Sequence, residues 1–180
     1  MTCLTLHPDS HSPAVTGIEV EASRPSPDLL MLRFVLQGFM GAVNLPPPAA
    51  SVRADELWRH TCFEAFVRAE GDAGYFEFNL SPSTRWAAYA FENYRAGMKP
   101  ADVPPPRIEV SRGIGRFELL ARLDLNGFGL DDLDWRVGLS AVLEDADNSI
   151  SYWALAHPPG RPDFHNADCF ALELPETARP

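Results

Sequence analysis

Strict alternation of apolar and polar residues constrains this chain more than any other feature. From Phe117 to Leu125 every second residue is apolar: Phe117, Leu119, Ala121, Leu123 and Leu125. The series Trp135, Val137, Leu139, Ala141 and Leu143 repeats the pattern, interleaved with Arg136, Gly138, Ser140, Val142 and Glu144. A period of two sends one set of side chains to a core and the other away from it, the geometry of a strand. Further strands are expected at Val15–Glu21, Leu29–Leu36, Trp58–Arg68, Tyr75–Leu80, Trp86–Phe91, Arg107–Ser111, Ile150–His157 and Cys169–Leu174. About ten short strands, with turn signals such as Glu70-Gly71-Asp72, Arg112-Gly113 and Asp145–Ser149, predict an all-β, two-sheet antiparallel sandwich. The helical signal is weak: Trp86, Tyr89, Ala90 and Tyr94 also fit a helical turn within Trp86–Met98. Pro-rich Leu45–Pro48 and Pro104–Pro106 read as loops. Neither separates segments able to stand alone, so the 180 residues are expected to form one domain.

Charge narrows the partners. Fifteen basic against 25 acidic residues leave a net charge of −10, and Lys99 is the one lysine. Nucleic acid and anionic membranes, which are bound by clustered basic side chains, are excluded as expected partners. No apolar run reaches the length of a membrane-spanning helix, and the first residues have no basic start followed by an apolar stretch. The chain is therefore expected in the cytoplasm, with Cys3, Cys62 and Cys169 as free thiols; a Cys62–Cys169 disulfide is the alternative.

Chemistry concentrates in three places. If Trp58–Arg68 is extended, Trp58, His60, Cys62 and Glu64 share a face; on the next strand Tyr75, Glu77 and Asn79 do so. Ser151, Trp153, Leu155 and His157 share another. Indole rings cover the C–H face of a sugar while carboxylates and amides bond its hydroxyls, so Trp58, His60, Glu64, Glu77, Asn79, Trp86, Arg95 and Trp153 are candidate ligand contacts. Arg95 would meet an anionic group. The stiff segment His157-Pro158-Pro159-Gly160-Arg161-Pro162-Asp163-Phe164-His165 adds His157, Asp163 and His165, read either as loop architecture, as ligand contacts or as a divalent-metal set. No phosphate loop or serine-nucleophile elbow is present, since Gly113-Ile114-Gly115 is a hairpin turn. Glu64 and Glu77 on neighbouring strands resemble a glycosidase carboxylate pair, but hydrolysis is not the expected activity.

The run Trp58-x-x-Thr61-Cys62-Phe63-Glu64-x-Phe66 is followed by Tyr75-Phe76-Glu77-Phe78-Asn79-x-Ser81-Pro82-Ser83-x-x-Trp86 and Tyr89-x-Phe91-x-x-Tyr94-Arg95-x-Gly97-Met98. With the closing Tyr152-Trp153-Ala154-Leu155-x-His157-Pro158 and Pro162-Asp163-Phe164-His165, it resembles the bacterial DOMON-like proteins, relatives of the family 9 carbohydrate-binding modules. The resemblance spans residues 15 to 175 or so. It implies a sandwich with a ligand cleft and a non-catalytic role in binding a saccharide or an amino- or nucleotide-sugar. In the carbohydrate-binding relatives paired tryptophans sandwich the sugar, which points to Trp58 and Trp153 here. The alternative implied is a haem-binding electron-transfer domain, with Met98 or Met40 and His157 or His165 as axial ligands. A metal-dependent enzyme at His157, Asp163 and His165 and a protein-partner module are the remaining readings.

Overall fold

The computed structural model describes residues 2–177 and is built almost wholly of strands. In chain order these are β1 (Thr2–Leu6), β2 (Val15–Ser26), β3 (Leu29–Gly38), β4 (Cys62–Ala69), β5 (Tyr75–Leu80) and β6 (Trp86–Phe91). There follow β7 (Lys99–Pro100), β8 (Arg107–Gly113), β9 (Arg116–Asp124), β10 (Trp135–Glu144), β11 (Ile150–Ala154) and β12 (Leu172–Leu174). Among the described residues the helical pieces are short 3-10 turns, and none is long and apolar enough to cross a membrane.

The strands form a curled antiparallel sheet in the order β7-β6-β5-β4-β10-β11-β1-β2-β3-β9-β8, with β12 beside the Trp135 end of β10. The all-β class expected from alternation is the one the chain adopts. Its two halves, however, are joined in one hydrogen-bonded path. Thr2–Leu4 of β1 pair with β2, whereas Thr5 and Leu6 pair with β11. Curling brings the inner faces together: Phe63 of β4 lies 5.0 Å from Phe34 of β3 and stacks on Phe117 of β9 at 5.8 Å.

The two halves treat their outer faces differently. On β9, Phe117, Leu119, Ala121 and Leu123 are buried while Leu120, Arg122 and Asp124 are exposed, the single-sided pattern of a solvated sheet. There Arg33 joins Glu21 and Glu118 across neighbouring strands. On β10 almost every residue is buried, although the chain alternates just as regularly. Its inner set, Trp135 to Leu143, enters the main core; its outer set is roofed by the segment after β11, whose Phe164 and Phe170 join Phe66, Tyr75, Tyr89, Phe91 and Val142 in a second aromatic cluster. This second layer is what creates a site.

Several boundaries differ from expectation. The strand expected from Trp58 starts at Cys62, because Glu56 takes a left-handed conformation (φ 59°) and Leu57–Arg59 form a 3-10 turn. Residues after Phe91 form a tight turn bridged between Asn93 and Ala96, not a helical turn. β11 ends at Ala154, and Cys169 closes the 3-10 turn Ala167–Cys169 ahead of the short β12. β1 and β7 were not expected. All three cysteines are free, so Cys62 and Cys169 form no disulfide.

Two positions fasten the curl. Arg24 of β2 lays its guanidinium 3.7 Å from the centre of the Trp135 ring. It donates to the main-chain carbonyls of Leu133 (2.6 Å), Pro27 (2.8 Å), Leu130 (3.1 Å), Pro175 (3.4 Å) and Asp131. Gly38 ends β3 at φ +145°, and a Cβ there would stand 2.1 Å from the Ala14 carbonyl oxygen. Gly38→Ala is expected to cost about 2–3 kcal/mol through strain and that clash. A fall in the urea midpoint at unchanged slope would show it.

A polar row under an aromatic roof

Register places the outer-face side chains in rows. Ser140, Glu64, Asn79 and Ala87 stand opposite one another across β10, β4, β5 and β6; Gly138, Phe66, Glu77 and Tyr89 form the next row on that face. Glu64 and Glu77 are thus diagonal neighbours on adjacent strands, a separation that long side chains span. Ser140 Oγ donates to Glu64 (3.1 Å), and Asn79 Nδ2 donates to Glu77 (2.7 Å). Glu64, Glu77, Asn79 and Ser140 are all buried.

Burial, then the charge of Glu77, pushes the Glu64 carboxyl up to about 8 against the opposing pull of Ser140 and Arg95. Burial also raises Glu77, offset by Asn79 and Arg95. Two carboxylates this close in a poorly solvated place do not both ionise readily, so at neutral pH the pair retains a proton on Glu64.

A second set of polar groups borders this row. Tyr75 hydroxyl lies 2.7 Å from Nδ1 of His165 and accepts the Arg95 backbone N–H at 3.2 Å. The other ring nitrogen, Nε2, faces the Glu77 carboxylate at 3.8 Å, which favours the neutral ring's proton on Nε2 and leaves Nδ1 to accept from the hydroxyl. Burial, followed by the Arg95 charge, lowers His165 to about 4, so the ring is uncharged at neutral pH. Asp163 is pushed up by burial, yet the bonds it accepts from Tyr94 hydroxyl (2.5 Å) and Arg95 (2.7 and 3.2 Å) outweigh this and lower it. Arg95 sits at φ +51° in the tight turn, a conformation uncommon for a residue with a side chain. Tyr94 and Met98 in the same segment are exposed.

The structure therefore brings together Glu64, Glu77, Asn79, Arg95, Asp163 and His165. The other sequence-derived candidates lie elsewhere. Trp86 and Trp153 are buried in the main core; Arg53 covers the first at 4.7 Å, and the second donates its indole N–H to Ser151. The expected Trp58–Trp153 pair is not formed, since Trp153 faces inward and Trp58, 49% exposed, lies on the 3-10 turn. Leu57 of that turn packs on the outer aromatic cluster, while Trp58 lies exposed beneath the Arg59 guanidinium at 5.3 Å. His60 contacts the Glu144 carboxylate at 2.7 Å.

His157 is also remote in function: its Nε2 meets the Thr5 carbonyl at 2.8 Å and its ring packs edge-on to His7. The metal set of His157, Asp163 and His165 does not converge, and no group of three metal-ligating side chains of the His, Cys, Asp or Glu kind is gathered among the described residues. The haem pairs do not fit either. His157 Nε2 and His165 Nδ1 are engaged, Met40 packs against the main core and Met98 is exposed.

Sequence reasoning missed Tyr75, Tyr94 and Ser140. Tyr75 and Ser140 alternate in phase with residues already singled out, a signal sufficient to find them. Nothing local announces Tyr94, whose partner Asp163 is distant in sequence.

No family model matches the chain, and no curated protein matches it. Among solved structures, it is similar to a candidate carbohydrate-binding protein from Bacteroides uniformis, with TM-score 0.62, 15% identity, and coverage of 85% of this chain and 75% of that one. It is also similar to a family 9 carbohydrate-binding module from Caldicellulosiruptor kristjanssonii. In its complex with cellotriose that module gives TM-score 0.60 at 9% identity over 98% of this chain and 83% of that one. In its complex with glucose the values are 0.56 and 10%, over 96% and 81%. The fold is that of the family 9 carbohydrate-binding modules.

Proposed function

We propose that the outer face of β4, β5, β6 and β10 binds a saccharide and does no chemistry on it. The observation that carries this reading is the exposed edge of the polar row, where Tyr94 and Arg95 stand at the surface bonded to half-buried Asp163, next to carboxyl, amide and hydroxyl groups buried on the outward side of the sheet. Such groups alternate as donors and acceptors, which is what a ring of hydroxyls requires. Tyr94 and Trp58 supply exposed aromatic surface for stacking. The similarity in fold to modules in complex with glucose and cellotriose supports the same ligand class.

The finer preference follows from charge. Asp163 occupies the Arg95 guanidinium, and the neighbouring groups are carboxyls, so an amino sugar or neutral sugar suits the site better than the phosphates of a nucleotide-sugar. The free thiols favour a reducing compartment, the cytoplasm.

Titration calorimetry with glucose, cellotriose and glucosamine tests this. Arg95→Ala is expected to weaken binding about tenfold or more, because it frees Asp163 and removes a donor, and Trp58→Ala by a few-fold. Unchanged affinity in Arg95→Ala, or no heat with any of the three sugars, would sink the reading.

A further inference from the structure

His165 and Glu77 face each other across a gap that neither fills. Nε2 of the imidazole stands 3.8 Å from Oε2 of the carboxylate, too far for a hydrogen bond, and neither atom bonds any other group among the described residues. Neither is closed off from solvent, whereas both oxygens of buried Asp145 are. The two side chains keep 15% and 9% of their surface exposed. The His165 backbone N–H donates to Asp163 at 3.3 Å, which ties the gap to exposed Tyr94 and Arg95, the open edge of the candidate site.

Both side chains are held by their other polar atom. Nδ1 of His165 meets the Tyr75 hydroxyl at 2.7 Å, and the ring stands edge-on to Phe66 (5.2 Å) and Phe91 (5.1 Å). The second Glu77 oxygen accepts from Asn79 at 2.7 Å. Neither group can turn toward the other without giving up a bond, so the separation is built in.

A polar pair this far apart takes one bridging atom, and an oxygen at about 2.8 Å from each fits. Burial keeps the ring uncharged at neutral pH, so Nε2 offers one N–H, and Glu77 offers a lone pair. The bridging group has to accept from the first and donate to the second through a single atom. A hydroxyl does both. An ammonium has no lone pair for the ring N–H, an ether or carbonyl has no hydrogen for the carboxylate, and a methylene has neither. Each of these strands a largely buried polar group, which costs more than the bond itself gains. We propose that the gap between His165 and Glu77 is the slot for one hydroxyl of the ligand, selecting hydroxyl over amine or deoxy carbon at that position, a selectivity that rests on the saccharide reading and narrows it.

Calorimetry of the intact protein with glucose and its monodeoxy analogues tests the slot, with the histidine ¹⁵N signals followed alongside. One analogue is expected to bind about tenfold or more weakly than glucose, the others within a few-fold, and glucose but not that analogue should move the His165 Nε2 signal. The amino analogue at the same carbon should bind no better than the deoxy one. His165→Phe keeps a ring between Phe66 and Phe91 and removes both nitrogens. In it glucose and the sensitive analogue should bind alike, a loss of discrimination that a purely structural role would not produce; the wild-type comparisons decide the matter if this variant does not fold. Glucose binding with all analogues equal, or with Nε2 unmoved, would mean that only water enters the gap, overturning the slot and leaving the saccharide reading standing. Binding of glucosamine without glucose would also overturn the slot alone. Silence with glucose, cellotriose and glucosamine would overturn both.

Discussion

Urea denaturation across pH should show the protein losing stability between pH 6.5 and 8.5, and Glu64→Gln should remove most of that loss. The sign follows from which state holds the proton. Folding raises the Glu64 carboxyl from 4.5 to about 8, so in the interval the folded chain binds a proton that the unfolded chain has released. The associated stability is complete below pH 4.5 and disappears as pH rises through 8. His165 works in the opposite sense, because folding lowers it from 6.5 to about 4; its contribution grows with pH and is complete above 6.5. The two slopes oppose each other at acid pH and separate above 6.5, which makes the alkaline window the clean one. At 1.36 kcal/mol for each pH unit, about 2 kcal/mol is lost there in the wild type. Slope remaining in the variant belongs to Glu77 and, toward pH 8.5, to Cys62 and Cys169, all of which burial shifts in the same direction. A wild-type midpoint that does not move from pH 6.5 to 8.5 would mean that Glu64 is already ionised at the lower value.

Arg24→Met is expected to cost about 3–5 kcal/mol, the largest single loss from one side chain outside the apolar core. The methionine fills much of the space over Trp135, so the loss reports mainly on carbonyls left without donors. Those carbonyls come from the β2–β3 turn (Pro27), from Leu130 to Leu133 before β10, and from Pro175 after β12. Arg24→Lys should recover less than half: an ammonium has three donors on one atom and cannot reach carbonyls spread around a planar fork. Full recovery by lysine in the denaturation midpoint would show that charge over the indole ring, not the fan of hydrogen bonds, is what matters.

Sequence was a good guide wherever one rule governed a residue. Glu64, Glu77 and Asn79 could be placed on one face because strict alternation carried through β4 and β5 unbroken. Trp58 falls out of phase with them, since the left-handed Glu56 and the 3-10 turn interrupt the extended chain; His60 is extended and keeps the face, but meets Glu144 at the far end of β10 instead of the polar row. Trp153 shows a different limit. Alternation correctly groups it with Ser151, but β11 is covered on both sides, and a strand buried twice gives no sign of which side is inward. β1 and β7 are too short to show a period, and half of β1 is fixed by β11, a partner far along the chain. The Tyr94–Arg95–Asp163 cluster joins two irregular segments, and no local propensity encodes such a meeting.

The partner exchange in β1 has a consequence for how the chain is made. Thr5 pairs with Ala154, so an early-synthesised strand has to wait for one of the last before the sheet can close. Until β11 leaves the ribosome, β2–β3–β9–β8 and β6–β5–β4–β10 can each form their pairs, but no strand joins the two halves through hydrogen bonds. Closure of so long a loop is slow, and the waiting intermediate exposes unpaired edges. Expression of this protein should accordingly respond to elongation rate and to chaperones more strongly than its finished stability would indicate.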